Sequence, residues 1–200
     1  MKSIYIYGAS GHGLVVADIA ISCGYEDIIF IDDDIKKGLK TFYDIKENND
    51  IPIAFGIGNN KIRAKLYEKA KKYNFTLPVL VHPSSIISPS VKIDEGTVVM
   101  PNVVVNAKVM IGKGVIVNSS CVVEHECKIG DFVHISPNVA LAGDVRVGDF
   151  THIGIGSSVI QCLKIGKNCI IGAGSVIVNN IVDFRKAYGN PCKEKGNINE

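Results

Sequence analysis

The chain has 200 residues, of which 46% are hydrophobic and 21% charged, a balance that belongs to folded globular proteins and excludes a disordered tail protein. A net charge of +2 is too even for a nucleic-acid footprint, and no apolar run reaches the ~18 residues that a membrane span needs. The N-terminus MKSIYIYGASG shows no signal-peptide apolar region or cleavage site, and six cysteines without paired spacing point to reduced thiols in the cytoplasm.

The first third alternates strand and helix. KSIYIYG reads as a strand entering a glycine turn, His12 to Cys23 as a helix ended by Gly24, and DIIFIDDD as a second strand ending in acids. IPIAFGIGNN is a third strand, Lys61 to Tyr73 a second helix, and TLPVLVHP a fourth strand. This order implies a small parallel sheet. The turn from Gly8 to Gly13 follows a strand and opens a helix, where backbone N–H groups can hold a phosphate. Asp32 and Asp33 stand about 20 residues on, as in dinucleotide-binding folds, but the glycine spacing is G-x-x-G-x-G and the unit is about half as long. A nucleotide or nucleotide sugar fits it better than NAD. Gly58 and Asn59 end the third strand, where ligands of open sheets collect.

From Ile87 the rhythm changes to six. Sixteen hexads run in one register from Ile87 to Ile177, each opening on Ile, Val or Leu, with a small or aliphatic residue at position five. Glycine recurs at position two, as in Gly112, Gly130, Gly148 and Gly166, and is expected to allow unusual dihedrals at corners. Positions five and one lie on the same side of a strand. The best-matched repeats start at 111, 129, 147 and 165, so three hexads make one turn of a three-sided β-helix of about five coils. The expected division is residues 1–82 for the βαβ unit and 83–200 for the β-helix with a C-terminal tail.

Within VVEHEC, His125 falls on a corner and faces outward, with Glu126 beside it to orient the ring, an arrangement suited to a general base. Glu124 reads as a solvated neighbour. His134 and His152, both at outward position six and 18 apart, are expected to stack. Cys121, Cys127 and Cys169 take inward position five as core residues.

These features together resemble the hexapeptide-repeat acyltransferases, left-handed parallel β-helices that act as trimers with acetyl-CoA. IYIYGASGHG, IFIDDD, GIGNN, VEHECKIGDFVHIS and the late GNPCK are similar to nucleotide-sugar acetyltransferases of the bacillosamine and sialic-acid O-acetyltransferase type, above all to those that N-acetylate UDP-4-amino sugars in bacterial protein glycosylation. The resemblance implies that Ser10, Gly11 and His12, with Asp32, Asp33 and Gly58, hold the UDP-amino-sugar. It implies that His125 accepts the proton and Glu126 raises its basicity. His134, Ile155 and Ala173 would line the acetyl-CoA site, the last two through backbone groups, with no metal. Other readings remain: O-acetylation of sialic acid or another sugar, a β-helical zinc lyase using His134 and His152, a non-catalytic trimerisation module, and a NAD oxidoreductase.

Overall fold

The structure, a computed structural model, describes residues 2–198. Strand β1 (Ser3–Tyr7) lies between β2 (Asp27–Ile31) and β3 (Ile53–Phe55) in one parallel sheet. The alternation in SIYIY decides what packs on each face, because successive side chains point to opposite sides. Ile4 and Ile6 meet Val16, Ile19 and Ala20 of helix α1 (Gly11–Ser22). Tyr5 and Tyr7 meet Phe42, Phe55 and Phe75 on the other side, with the short helix α2 (Phe42–Ile45) and the longer α3 (Asn60–Lys72).

The expected fourth strand does not join this sheet. Leu80–Val81 pairs with Val98–Val99 and opens the β-helix instead. Val81 stands six residues before Ile87, so the hexad register already holds there. Two-residue strands at 80, 98, 116, 134, 152 and 170 form the first face, those from 86 to 176 the second, and those from 92 to 164 the third. The solenoid therefore turns about six times, against the five or so coils expected from the hexads after Ile87, and Leu80–Val81 adds one face to them. Positions one and five fill the shaft, and Val99, Val117, Ile135 and Ile153 are fully buried together with Val103, Val115 and Val133. Cys121, Cys127 and Cys169 are also fully buried, and burial pushes the Cys121 and Cys127 thiols up to about 11.

The glycines at position two have a different reason from the expected one. Their φ values lie outside the left-handed region. A Cβ on Gly112 would stand 2.9 Å from the Gly130 carbonyl carbon of the next coil, so close approach of coils demands glycine there. The left-handed φ falls two residues later and is mostly taken by other residues, including Glu126 at 62°, Phe132 at 55° and Asn138 at 57°. At the far end Arg185–Tyr188 continues the first face in parallel and Lys193–Asn197 returns antiparallel to it.

The α/β unit is docked on the first face. Val98, Met100 and Ile116 join the cluster around Ile4 and Val16, while Phe132 stacks on Phe150 and meets Tyr67 of α3 edge-on. Arg63 pins this seam. Its guanidinium is almost fully buried, and it donates to the carbonyls of Gly114 at 2.7 Å, Phe132 at 3.0 Å, Ile57 and Gly58 at 3.1 Å, and to Asn60 Oδ1 at 2.9 Å. Asn60 in turn donates to the Phe150 carbonyl at 3.0 Å. Gly114, Phe132 and Phe150 are one corner on three successive coils, so α3 reads a column of carbonyls. Burial lowers Arg63 to about 9, which leaves it charged at neutral pH.

Candidate active site

His125 and Glu126 form the turn between a second-face strand and a third-face strand. The side chain of His125 is 59% exposed and its Nδ1 lies 3.2 Å from Glu126 Oε2. A carboxylate only accepts, so Nδ1 carries the hydrogen and Nε2 presents its lone pair. Glu126 also faces Lys108 of the preceding coil at 3.8 Å. The corner opens on a hollow of about 350 Å³ lined by Lys108, Glu126, Lys128, Asp144 and Arg146. Sequence reasoning passed over these cations, although Lys128, Arg146 and Lys164 recur at the same outward position 18 apart.

Three other histidines sit in the seam. His134 and His152 sit in register on successive coils as expected, with ring centroids 4.7 Å apart and the planes tilted by 54°, and His12 lies 6.3 Å from His134. They face out of the β-helix, but the α/β unit covers them, so His134 is 9% exposed and not a free surface residue. His134 Nε2 is 3.1 Å from Asn118 Nδ2, and His152 Nε2 is 3.0 Å from Ser136 Oγ. Nε2 of His12 and Nδ1 of His134 are buried with no partner among the described residues. Burial first, then the nearby Arg63 charge, lowers His12 to about 4. Burial and then His152, Arg63 and His12 lower His134 to about 3. His152 is lowered by the same causes, burial before Arg63. These rings are neutral at physiological pH.

The glycine turn divides into two kinds of residue. Gly8, at φ +109°, Gly13 and Gly56 are mutually packed where β1, α1 and β3 meet, and a Cβ on Gly56 would stand 2.5 Å from Gly13 Cα. Ser10 and Gly11 are exposed at the N-terminus of α1, whose first turn has no acid. Asp32 accepts from the Ala9 N–H at 3.0 Å and from Lys37. Burial opposes its ionisation, but hydrogen bonds from Lys37, Ala9 and Asp34 outweigh it and hold the carboxyl below the usual range. Asp33 is engaged within the fold, taking hydrogen bonds from Tyr7 at 2.6 Å, Phe42 N–H at 3.0 Å and Lys69 at 2.9 Å. Asn59 is the N-cap of α3, accepting from Ile62 N–H at 3.0 Å. Gly58 borders a cleft of about 280 Å³ with Asn60, Lys61, His152, Ile170 and Ile198.

Ile155 and Ala173 stand on adjoining coils at the corner where the first face meets the second, tied by Gly174 N–H to Ile155 O at 2.8 Å. Their own N–H groups make no hydrogen bond among the described residues. The His125 corner lies at the opposite edge of the second face. The structure thus brings His12, His134 and Gly58 together, and separates them from the His125 corner. Among the described residues no group of three or more His, Cys, Asp or Glu could hold a metal ion, and no helix is long and apolar enough to cross a membrane.

Comparison with known proteins gives this geometry a family. The model of the PglD N-terminal domain matches residues 3–70, and that of the bacterial transferase hexapeptide (six repeats) matches residues 144–179. UDP-N-acetylbacillosamine N-acetyltransferase of Bacillus subtilis is 34% identical over 115 residues, which is 50% of this chain and 52% of that protein, so the match spans about half the relative's length. The acetyltransferase domain of PglB from Neisseria gonorrhoeae, solved in complex with acetyl coenzyme A, is 38% identical over 97% of this chain and 99% of that one, with a TM-score of 0.90. PerB from Caulobacter crescentus, solved with CoA and GDP-perosamine, is 35% identical over 98% of both chains, with a TM-score of 0.92. At that identity over nearly the whole of both chains, the protein belongs to the hexapeptide-repeat sugar N-acetyltransferases.

Proposed function

We propose that the chain transfers the acetyl group of acetyl-CoA to the 4-amino group of a UDP-amino-sugar, with His125 as general base. The observation that carries this reading is the solvent-open His125–Glu126 pair, on a chain similar over nearly its full length to proteins solved with acetyl-CoA, or with CoA and GDP-perosamine. The neutral amine attacks the thioester carbonyl and forms the C–N bond. Its proton passes to Nε2 of His125, and Glu126 steadies the charged ring through Nδ1. The tetrahedral oxyanion takes a backbone N–H; Gly143, one coil on from His125, has an N–H without a partner among the described residues. Collapse breaks the C–S bond, and the imidazolium returns its proton to the CoA thiolate. No acyl-enzyme is needed, because the amine attacks the thioester directly; the Cys121 and Cys127 thiols point inward and are held protonated.

Binding divides between the halves. The exposed turn Ser10–Gly11 at the α1 N-terminus takes the diphosphate, with His12, Asp32, Asp33 and Gly58 around it. His134, Ile155 and Ala173 serve the acetyl-CoA side. Since the Ile155–Ala173 corner and the His125 corner flank opposite edges of the second face, one chain holds two halves of different sites. A ring of three chains closes them, and the outward second-face residues Ile86, Val104, Val122 and Val176, with Ile86 68% exposed, supply an apolar contact.

The test is a panel of UDP-4-amino sugars, a GDP-4-amino sugar and free sialic acid, each with acetyl-CoA, followed by thiol release and product mass. Acetylation of an amino sugar nucleotide is expected. Transfer only to a hydroxyl of sialic acid, or none to any acceptor, contradicts the proposal.

A further inference from the structure

We propose that Gly143 is a positioning residue for His125, its missing side chain forming the seat on which the Nε2 edge of the imidazole rests. This inference rests on the reading of His125 as the base. Gly143 follows His125 by one coil in the same corner. A Cβ at 143 would stand 2.6 Å from both Cε1 and Nε2 of His125 and 3.3 Å from Cδ2. That is closer than real Cβ contacts come.

The backbone gives no other reason for glycine here. The φ of Gly143 is outside the left-handed region, and the left-handed residue of this turn is its neighbour Asp144, at 53°. Most position-two glycines meet the backbone of the next coil, whereas the three nearest atoms to Gly143 all belong to the His125 ring. Among the described glycines it alone abuts a histidine ring in this way. Glu126 holds the opposite side of the ring through Nδ1. The pair of contacts fixes the direction of the Nε2 lone pair, which an exposed side chain would otherwise lose to rotation.

An alanine at 143 would leave the coil intact and turn the ring away, because an imidazole on a corner moves more easily than the backbone. Displacing a reacting group by about 1 Å can cost up to about 100-fold in rate. Gly143→Ala is therefore expected to lower kcat about 10- to 100-fold, with KM for acetyl-CoA and for the sugar nucleotide changed by less than about twofold and the unfolding midpoint unchanged. The decisive arm is the double variant. In a His125→Ala background, Gly143→Ala should cost less than about twofold, since there is no ring left to displace. An equal loss in both backgrounds overturns the proposal, because the added methyl group, which leaves the Gly143 N–H in place, would then act by a route other than the His125 ring. A second arm needs no activity. The His125 Cε1–H signal, assigned by its loss in His125→Ala, should shift in the proton–carbon NMR spectrum of Gly143→Ala; an unmoved signal overturns the seat. If the wild-type protein transfers no acetyl group, the base assignment fails by itself while the NMR arm still judges the contact.

Discussion

The seam under the α/β unit and the corner at His125 use the same residue type for opposite ends. His134 and His125 are nine residues apart on one scaffold. His134 is buried between His12 and His152, next to the Arg63 charge, and is held neutral. His125 is open to solvent and paired with a carboxylate. A desolvated ring facing a cation cannot gain a proton cheaply, whereas the His125 ring stands in solvent with its Nδ1–H on a carboxylate. Environment, not residue type, sets the buried seam histidine apart from the proposed base.

The sharpest way to break this comparison is to delete both rings in turn. His125→Ala should lower kcat by about 10²- to 10⁴-fold, the range of a lost general base, with acetyl-CoA affinity nearly unchanged. His134→Gln should act mainly on the KM for acetyl-CoA, on whose side the proposal places this ring, and cost far less in kcat; equal kcat losses from the two variants would erase the distinction.

Arg63→Ala comes next. It leaves several buried carbonyls of the seam without a donor, so stability should fall by about 3 kcal/mol or more, measured by urea unfolding. A change under about 1 kcal/mol would mean that the seam does not depend on this residue.

The acid side of the stability curve gives a smaller effect for each residue. The folded-state values of His12, His134 and His152 lie below the unfolded value of about 6.5, so the unfolded chain binds more protons below that pH. Their contribution to stability is fully present above 6.5 and falls as pH drops, toward 4 for His12 and toward 3 for His134. By pH 5 the loss is about 2 kcal/mol for each of His12 and His134. His134→Gln should flatten the slope between pH 6.5 and 5, and an unchanged slope would count against neutral seam histidines.

Glu126→Gln should show the smallest change, roughly tenfold or less in kcat, because the amide still orients the ring but no longer steadies its charge. A loss as large as that of His125→Ala would give Glu126 a direct part in the chemistry.

The hexad register made the β-helix, its buried cysteines and the outward corner of His125 legible in the sequence, since each follows from a period of six. The start of the solenoid was harder, because Leu80–Val81 reads equally as a last strand of the α/β sheet; only pairing with Val98–Val99 decides it. The seam was invisible for a physical reason. Burial of His134 is conferred by a second unit, and no local pattern reports docking. One signal existed in α3, where Arg63 shares the buried stripe with Tyr67 and Ala70 at helical spacing. The corner glycines misled in the other direction: Gly112 and Gly130 answer to the next coil, a neighbour 18 residues away.

The central claim is that the His125 corner is half of a site completed by the Ile155–Ala173 corner of another chain. Subunit exchange tests it directly. His125→Ala and Ala173→Trp should each be nearly inactive alone. Mixed in equal amounts under exchange, they should recover activity at about one site in four, the fraction in which an intact base meets an intact corner. Assemblies that mix, by mass measurement, yet stay inactive would contradict a site shared between chains.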